Sequence, residues 1–230
     1  MRADWLPDVL RGAGLRVVEH PGWRGRGRGL TAIEGVVWHH TASGPSWTDQ
    51  RVVDLLIAGR TDLAGPLCQL GLRRDGTFDV IAAGRANHNG YGTWGNNSLG
   101  IEAYNDGVGE RWPAVQVDAY DRGTAAILRH LGFGVDRMKG HRETDPRRKI
   151  DPAGIDMDAA RARVAVLLNP PSEEDDMSPE DRALLAKIAE QTNENHLRLV
   201  ELQEEVIGQR DAKGRSRMDR IADLVSKPKG

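Results

Sequence analysis

Residues 36–42 read Val36-Val37-Trp38-His39-His40-Thr41-Ala42 and follow Gly35. This short apolar run, rich in β-branched residues and opened by a glycine, predicts a buried strand that ends in two histidines. Successive side chains of a strand point to opposite faces of its sheet. One site can therefore use only one of the two histidines easily, and distant parts of the chain must supply its partners.

Strands and helices alternate on the C-terminal side of this run. Apolar and β-branched residues predict strands at 67–72, 78–81 and 99–104, and helical spacing predicts helices after Thr48, over 117–131 and after Asp156 or Asp158. The first two of these strands flank Arg73-Arg74-Asp75-Gly76, an Asp-Gly hairpin signal. Together these elements predict the α/β class, with a mixed β-sheet flanked by α-helices.

The composition changes near residue 170. Asn169-Pro170-Pro171-Ser172 is a stop signal, and an acidic run at 173–176 follows it. We therefore predict a domain over 1–170, an acidic linker over 171–180 and a C-terminal helical tail over 181–230. Residues at heptad spacing in the tail, interrupted by Thr192 and Asn195, suit a coiled coil and a homo-oligomer. Two alternatives stay open: the helix docks on the domain, or the basic end at 210–229 binds anionic polymers.

The bulk composition excludes several classes of protein. The formal net charge of −2 carries no nucleic-acid signature. No apolar stretch is long enough to span a membrane, and the N-terminus lacks the basic start and apolar run of a signal peptide. We therefore expect no nucleic-acid or membrane partner and a protein made in a cytoplasm. The single cysteine, Cys68, allows no internal disulfide and is expected to be a small buried residue, not a nucleophile.

Two further segments carry side chains that bind metals. Gly140-His141-Arg142-Glu143 and Lys149-Ile150-Asp151 supply a histidine and an aspartate. Two histidines and one carboxylate around zinc leave a position open for water, which is typical of a catalytic site. A lone histidine at a strand end is nevertheless more often structural than a ligand, and His39 lies far from His141 in the sequence. Local spacing alone does not decide between the two interpretations.

Five short strings favour the metal site. They are the run at 36–42, Asn87-His88-Asn89-Gly90, Ser98-Leu99-Gly100-Ile101-Glu102, Gly140-His141-Arg142-Glu143 and Arg148-Lys149-Ile150-Asp151-Pro152. In this order they closely resemble the zinc-dependent N-acetylmuramoyl-L-alanine amidase family, which includes peptidoglycan recognition proteins, bacterial cell-wall-recycling amidases and phage lysins. The resemblance spans about residues 30–168, and the strings at 8–15 and 80–88 look like actinobacteriophage endolysins.

The resemblance assigns roles to five side chains. His39, His141 and Asp151 fall on the zinc ligands, with one ion per domain. Glu102 falls where the recycling amidases keep their catalytic carboxylate, and Lys149 falls on the family's catalytic lysine. Zinc lowers the pKa of a bound water, and these two residues would then move its proton and stabilise the oxyanion.

Other positions follow less directly. His88 falls on a position that lines the substrate groove, and we expect Asn87 and Trp94 to contact the substrate as well, although a loop tryptophan packs against its own domain equally often. His40 matches the second histidine of the pair and is not a ligand in the family. Relatives often carry a catalytic tyrosine on the strand before the Arg-Asp-Gly turn, but 65–70 contain none, which implies reliance on Glu102. The basic stretch at 24–29 predicts a flexible loop that can rim the groove.

The function implied by the resemblance is that of a peptidoglycan hydrolase. It would cleave the amide bond between N-acetylmuramic acid and L-alanine with zinc-activated water, so bacterial peptidoglycan is the expected partner. A phage endolysin for host lysis would be made in the host cytoplasm without a signal peptide and would act on the cell wall after release. Two alternatives stay open, namely a non-catalytic peptidoglycan-binding protein and an oligomeric tail-associated lysin.

Overall fold

The computed structural model describes residues 1–170 and, beyond them, only Lys187. The predicted acidic linker and the predicted helical tail with its heptad seam therefore lie outside the described residues, apart from that lysine. None of the described helices has the length and apolar character needed to cross a membrane.

Strands and helices alternate along 1–170. The strands are β1 (Val17–Glu19), β2 (Val36–His40), β3 (Gly59–Arg60), β4 (Leu63–Ala64), β5 (Leu70–Leu72), β6 (Phe78–Val80), β7 (Leu99–Ala103) and β8 (Met138–Gly140). The α-helices are α1 (Leu6–Gly12), α2 (Asp49–Ala58), α3 (Ala114–Leu131), α4 (His141–Thr144) and α5 (Met157–Leu168), with 3-10 turns at Gly95–Asn97 and Val135–Arg137.

Six strands form the main sheet, in the order β1-β6-β5-β7-β2-β8. The β5–β6 pair is antiparallel, and the other neighbouring pairs of this sheet are parallel. The predicted mixed β-sheet flanked by α-helices is therefore confirmed. The predicted Asp-Gly turn joins β5 to β6, where Gly76 takes a φ of +81° that glycine adopts without steric cost.

The two faces of the sheet are covered differently. On one face, α1, α3 and α5 pack over large side chains such as Trp38 and Phe78. On the other face, Val52, Val53 and Leu56 of α2 form a smaller apolar cluster. Thr48 caps α2 as predicted, because its side chain accepts a hydrogen bond from the Arg51 N–H.

Some elements differ from the prediction in extent. β5 begins at Leu70, not at 67, because the Leu67 N–H donates to the Leu56 carbonyl at the end of α2. α5 follows Asp156, whose side chain accepts from the N–H groups of Asp158 and Ala159. On α5, Val164 is buried, whereas Leu167 and Leu168 are half-buried.

The strand register places four residues in one row across the sheet. Gly71 of β5 pairs with Asp79 of β6 on one side and with Glu102 of β7 on the other. Glu102 in turn pairs with His39 of β2. Residues aligned in register point to the same face, so this row carries two carboxylates and a histidine on the face that α2 covers in part.

Candidate metal centre and catalytic site

Three atoms suited to metal binding lie together at the end of β2. His39 Nδ1 lies 2.9 Å from His141 Nδ1 and 3.0 Å from Asp151 Oδ2, and His141 Nδ1 lies 2.9 Å from the same oxygen. All three side chains are buried. We call these three atoms the ligand triangle. The structure thus brings together the three side chains that the sequence analysis predicted as metal ligands.

The triangle has the dimensions of a metal site. Its three donor atoms lie within 4.8 Å of one another, as a shared ion requires. Tetrahedral coordination with bonds of about 2.0–2.1 Å separates its donor atoms by about 3.3 Å. The sides of the triangle are close to that value, so two imidazoles and one carboxylate could hold a metal ion here and leave a fourth position for another ligand.

Strand order explains how distant residues meet. β2 lies beside β8, and Trp38 is the register partner of Gly140. The next residues along the two parallel strands are His39 and His141, so their side chains come together where β8 passes into α4. The Glu143 carboxylate accepts a hydrogen bond from the Gly140 N–H at this junction.

Asp151 sits in a loop that is tied to α4. The Arg142 N–H donates to the Asp151 carbonyl over 2.8 Å. The Arg142 guanidinium donates to the carbonyls of Pro152 and Ile155. One arginine therefore holds the backbone at Asp151 and in the residues that follow it, which removes conformational freedom that metal binding would otherwise have to restrict.

Asp151 and His39 have the protonation states that metal binding requires. Burial alone raises the pKa of Asp151, but its close contacts with the rings of His141 and His39 outweigh burial and lower that pKa well below its ordinary range. Burial lowers the pKa of His39 to about 4, and the positive charge that His141 can carry acts in the same direction. At neutral pH the triangle thus offers an ionised carboxylate and a neutral imidazole at His39, the forms that bind metals.

Glu102 faces the triangle from β7. Its Oε1 lies 4.0 Å from His39 Nδ1. Its Oε2 is buried and has no hydrogen-bond partner among the described residues. A buried carboxylate oxygen without a partner is costly, so such an atom in a native fold points to a ligand or water that completes it.

The environment of Glu102 holds its proton tightly. Burial, and next the negative charge of Asp151, raise the pKa of Glu102 to about 8. The positive charges of Lys149 and Arg60 act against this shift. The resemblance assigned Lys149 to the family's catalytic lysine, and in the structure its charge acts on both Glu102 and His39.

His88 is buried and contacts His39. His88 Nδ1 is 3.0 Å from His39 Nε2, and His88 Nε2 is 2.9 Å from the Ser98 carbonyl oxygen. A carbonyl only accepts, so His88 Nε2 carries the hydrogen and its Nδ1 accepts from the N–H of His39 Nε2. Burial lowers the pKa of His88 well below its ordinary range, which keeps this ring neutral. His39 Nδ1 is thereby left as a lone pair that points into the triangle.

A glycine makes room for this second histidine. A Cβ at Gly100 would lie 2.7 Å from the His88 ring, closer than a side chain tolerates. The loop that carries His88 is held by Asn96, whose side-chain oxygen accepts from the N–H groups of His88 and Asn89. The sequence analysis did not single out Asn96 or Ser98 for this role, because their partners depend on a folded loop.

Tyr120 of α3 supports His39 from the opposite side of the sheet. Its hydroxyl accepts from the His39 N–H over 2.9 Å and donates to the Ile101 carbonyl over 2.7 Å. Its ring stacks on Trp38, with centroids 3.6 Å apart. The sequence analysis placed Tyr120 only on an apolar helix face. The signal that could have found its role is the hydroxyl, since a buried tyrosine needs a polar partner.

The structure places the remaining predicted residues outside the triangle. His40 is half-exposed and accepts from the Ala153 N–H through its Nδ1. Asn87 lies one residue from His88 and donates to the Ala64 carbonyl. Trp94 does not reach the triangle: its ring packs on Gly35, before β2, whereas the triangle lies at the other end of that strand. The sequence analysis left open that a loop tryptophan packs against its own domain, and the contact of Trp94 with Gly35 is of this kind.

Cys68 occupies the segment where relatives often have a tyrosine. Its side chain is fully buried, and burial, followed by the charge of Glu102, raises the pKa of the thiol well above its ordinary range. The thiolate is therefore disfavoured, in agreement with the prediction of a small buried residue.

Comparisons with known proteins agree with this geometry. The search of curated proteins gave no match. Among solved structures, the endolysin N-acetylmuramoyl-L-alanine amidase LysCS from Clostridium intestinale URNW is 17% identical with a TM-score of 0.51, over 65% of this chain and 95% of that chain. The Staphylococcus aureus hydrolase AmiA in complex with its ligand is 14% identical with a TM-score of 0.53, over 71% of this chain and 89% of that chain. At these identities the likeness shows a shared fold.

A family model gives the more specific result. It is described as N-acetylmuramoyl-L-alanine amidase and matches residues 29–154, which is more than half of the 230 residues. The matched segment contains β2, α4 and the loop that carries Asp151, and therefore every side chain of the ligand triangle. The chain belongs to the N-acetylmuramoyl-L-alanine amidase family.

Proposed function

We propose that the protein is a zinc-dependent peptidoglycan amidase that cleaves the bond between N-acetylmuramic acid and L-alanine, and that it serves as a phage endolysin. The observation that carries the proposal is the Oε2 of Glu102, which has no hydrogen-bond partner among the described residues and is buried beside a triangle of three metal-type donor atoms. A structural site would surround its metal with four protein ligands. This one combines three donors with a carboxylate that lies outside them.

His39, His141 and Asp151 would hold the zinc ion. When bound there, zinc would lower the pKa of a water molecule and polarise the scissile carbonyl. Imidazole and carboxylate are ligands that suit zinc, and the described residues offer no thiolate at this position.

Glu102 would act as the general base and then as the general acid. Its ionised form would accept a proton from the attacking water, and the burial that raises its pKa would favour return of that proton to the departing amine of L-alanine. Lys149 contributes positive charge to the same space and would stabilise the oxyanion that develops on the carbonyl. Neither Glu102 nor Lys149 belongs to the ligand triangle.

His88 would act as a positioning residue. By accepting from His39 Nε2 it fixes the tautomer and the ring orientation that present Nδ1 to the metal. We expect His88→Ala to weaken zinc binding by about 10–100-fold. His88→Asn keeps an acceptor near the same place and should recover part of that affinity. Competition with a fluorescent chelator measures both, and equal zinc affinity in the three proteins would contradict this role.

The direct test of the function is digestion of purified peptidoglycan. The protein should release stem peptides with a free L-alanine amine, which mass spectrometry identifies. A chelator should stop the release and added zinc should restore it. Binding without cleavage would favour the non-catalytic alternative, whereas cleavage of a glycan or interpeptide bond would assign another activity.

We also propose that residues 1–170 are the complete catalytic domain, since every residue of the proposed machinery precedes 152. A shortened chain that ends at Pro171 should fold, bind zinc and cut soluble muropeptides as the full chain does. Sedimentation of the full and shortened chains would test whether the segment 181–230 associates copies of the protein. An insoluble or metal-free shortened chain would contradict the division.

A further inference from the structure

The loop that carries His88 also contacts the helix that carries the second imidazole ligand. This loop spans residues 88–98 and leads into β7. Its first residue, His88, contacts the ring of His39. Its second residue, Asn89, has its side-chain oxygen 2.8 Å from the hydroxyl of Thr144, the last residue of α4. The supports of the two imidazole ligands therefore meet in two consecutive residues of one loop.

The side chain of Asn89 is fully buried, and both ends of its amide have partners. Its Nδ2 donates to the Thr93 carbonyl over 2.8 Å and to the Gly95 carbonyl over 3.3 Å. Because carbonyl oxygens only accept, the amide nitrogen must face them, and the amide oxygen must face Thr144. The Asn89 Oδ1 is therefore an acceptor that the loop holds in a fixed place.

Thr144 connects this acceptor to the backbone of a metal ligand. Its hydroxyl lies 2.8 Å from Asn89 Oδ1 and 2.9 Å from the carbonyl oxygen of His141. A hydroxyl has a single hydrogen to donate, so the two acceptors share it. The Thr144 carbonyl also accepts from the Thr93 N–H over 3.0 Å. Thr144 thus joins the loop through its side chain and its backbone.

The loop and α4 approach so closely that no other side chain fits between them. A Cβ at Gly92 would lie 1.9 Å from Asn89 Oδ1 and 2.7 Å from the Thr144 hydroxyl oxygen. Trp94, in the same loop, has a φ of +72°, which bulky residues rarely adopt. Such a conformation persists only where the surrounding contacts hold it. The loop and α4 therefore have little freedom to move apart.

We propose that Thr144 and Asn89 are positioning residues that set the distance between the two imidazole ligands. His88 orients one ring, Thr144 holds the turn that carries the other, and Asn89 joins the two supports. A site binds its metal more tightly when the ligands are already held at the required spacing, because binding then costs less conformational freedom. The inference rests on the zinc centre of the proposed function.

The test measures zinc affinity by competition with a fluorescent chelator. Thr144→Val keeps the shape of the side chain and removes the hydroxyl, and we expect it to weaken zinc binding about tenfold, the lower end of the range for groups that orient metal ligands. Thr144→Ser keeps the hydroxyl and should bind zinc nearly as the wild type does. Thr77→Val is the matched control: Thr77 is buried to the same degree but lies in the β5–β6 turn, and its variant should keep wild-type affinity.

A cycle with His88→Ala separates positioning from a general loss of stability. Without His88 the loop no longer contacts His39, so adding Thr144→Val to His88→Ala should weaken zinc binding little further. Independent effects would add instead. Urea unfolding of the metal-free variants gives their stability, and a role in folding alone would lower it without changing the zinc affinity of the folded protein. Unchanged affinity in Thr144→Val, or additive losses in the double variant, would overturn the inference.

The wild-type affinity separates this inference from the proposed function. If the wild type binds no zinc, the zinc centre of the proposed function fails, and NMR of the metal-free protein decides the positioning role. Thr144→Val should then shift the ring resonances of His39, although that residue lies on another element, and Thr144→Ser should not. Unshifted His39 resonances in Thr144→Val would show that the loop does not connect the two ligands.

Discussion

Two carboxylates in the same register row of the sheet, Asp79 and Glu102, differ in how fully their oxygens are hydrogen-bonded. Asp79 is fully buried, and each of its oxygens accepts two hydrogen bonds: Oδ1 from Arg73 and His20, and Oδ2 from Arg73 and Tyr104. Glu102, two strands away in the same register row, has one oxygen with no partner among the described residues. A carboxylate that supports the fold is thus saturated with donors, and one that is suited to move protons keeps an oxygen unoccupied.

The largest expected effect comes from the removal of Asp151, the carboxylate that both His39 and His141 contact. Asp151→Ala should abolish metal binding and activity together, because two imidazoles alone bind zinc weakly. Metal analysis of the purified variant measures the first effect and turnover the second. His40→Ala is the control: it lies on the opposite face and should keep its metal, while full metal content in Asp151→Ala would contradict the ligand assignment.

Glu102→Gln removes the proton acceptor and keeps the shape of the side chain. We expect kcat to fall by about 10²–10⁴, the usual contribution of general acid–base catalysis. Zinc content and KM should stay near wild-type values, since the side chain lies outside the triangle. Steady-state kinetics on a soluble muropeptide measures this, and near-normal turnover would place the proton transfer on another group.

Asp79→Asn should lower the stability of the fold and leave kcat unchanged, which is the reverse of the effect expected for Glu102→Gln. An amide cannot satisfy all four donors, and Arg73 then keeps only the more distant Asp49 as a counter-ion. The unfolding free energy should fall by about 1–3 kcal/mol. Under conditions where the variant stays folded, its kcat should match the wild type. Urea unfolding gives the stability. Asp62→Asn, which disrupts the exposed Arg60–Asp62 pair, should leave the unfolding midpoint unchanged.

The smallest expected effect is on the pH dependence of stability in the metal-free protein. The pKa of Glu102 is raised from 4.5 to about 8 by burial and by Asp151. Its proton therefore stabilises the fold at low pH, and that stabilisation is lost as pH rises through the folded pKa. Chelated wild type should lose stability relative to Glu102→Gln between about pH 5 and pH 9. Parallel stability profiles in urea would show that Glu102 does not hold its proton.

Local sequence features predicted much of the fold. The cap at Thr48, the Asp-Gly turn and the buried run at 36–40 each depend on residues within a few positions, and the structure has all of them. The site followed from the resemblance, since nothing local relates His39 to His141. Their meeting depends on β8 lying beside β2, and a strand order is a property of the whole chain.

Because strand order is a property of the whole chain, the sequence also could not predict the difference between the two carboxylates. Both Asp79 and Glu102 are single acidic residues within short apolar strands, and the sequence around them looks alike. Their surroundings differ because Arg73, Tyr104 and His20 converge on one of them across strand boundaries. The Asp79 cluster was absent from the predictions for this reason. The resemblance assigned His88 to the substrate groove, but its contact with His39 could not be predicted, because it forms only when the loop is folded.

The shared register row has a consequence for folding. Side chains alternate along a strand, so a slip of one residue in β5, β6, β7 or β2 would turn its member of the row to the opposite face. A slip in β6 would separate Asp79 from Arg73, whereas a slip in β2 would remove His39 from the ligand triangle. Metal uptake therefore depends on the alignment of β2. The uptake rate of zinc during refolding should report when β2 has found its alignment beside β7 and β8.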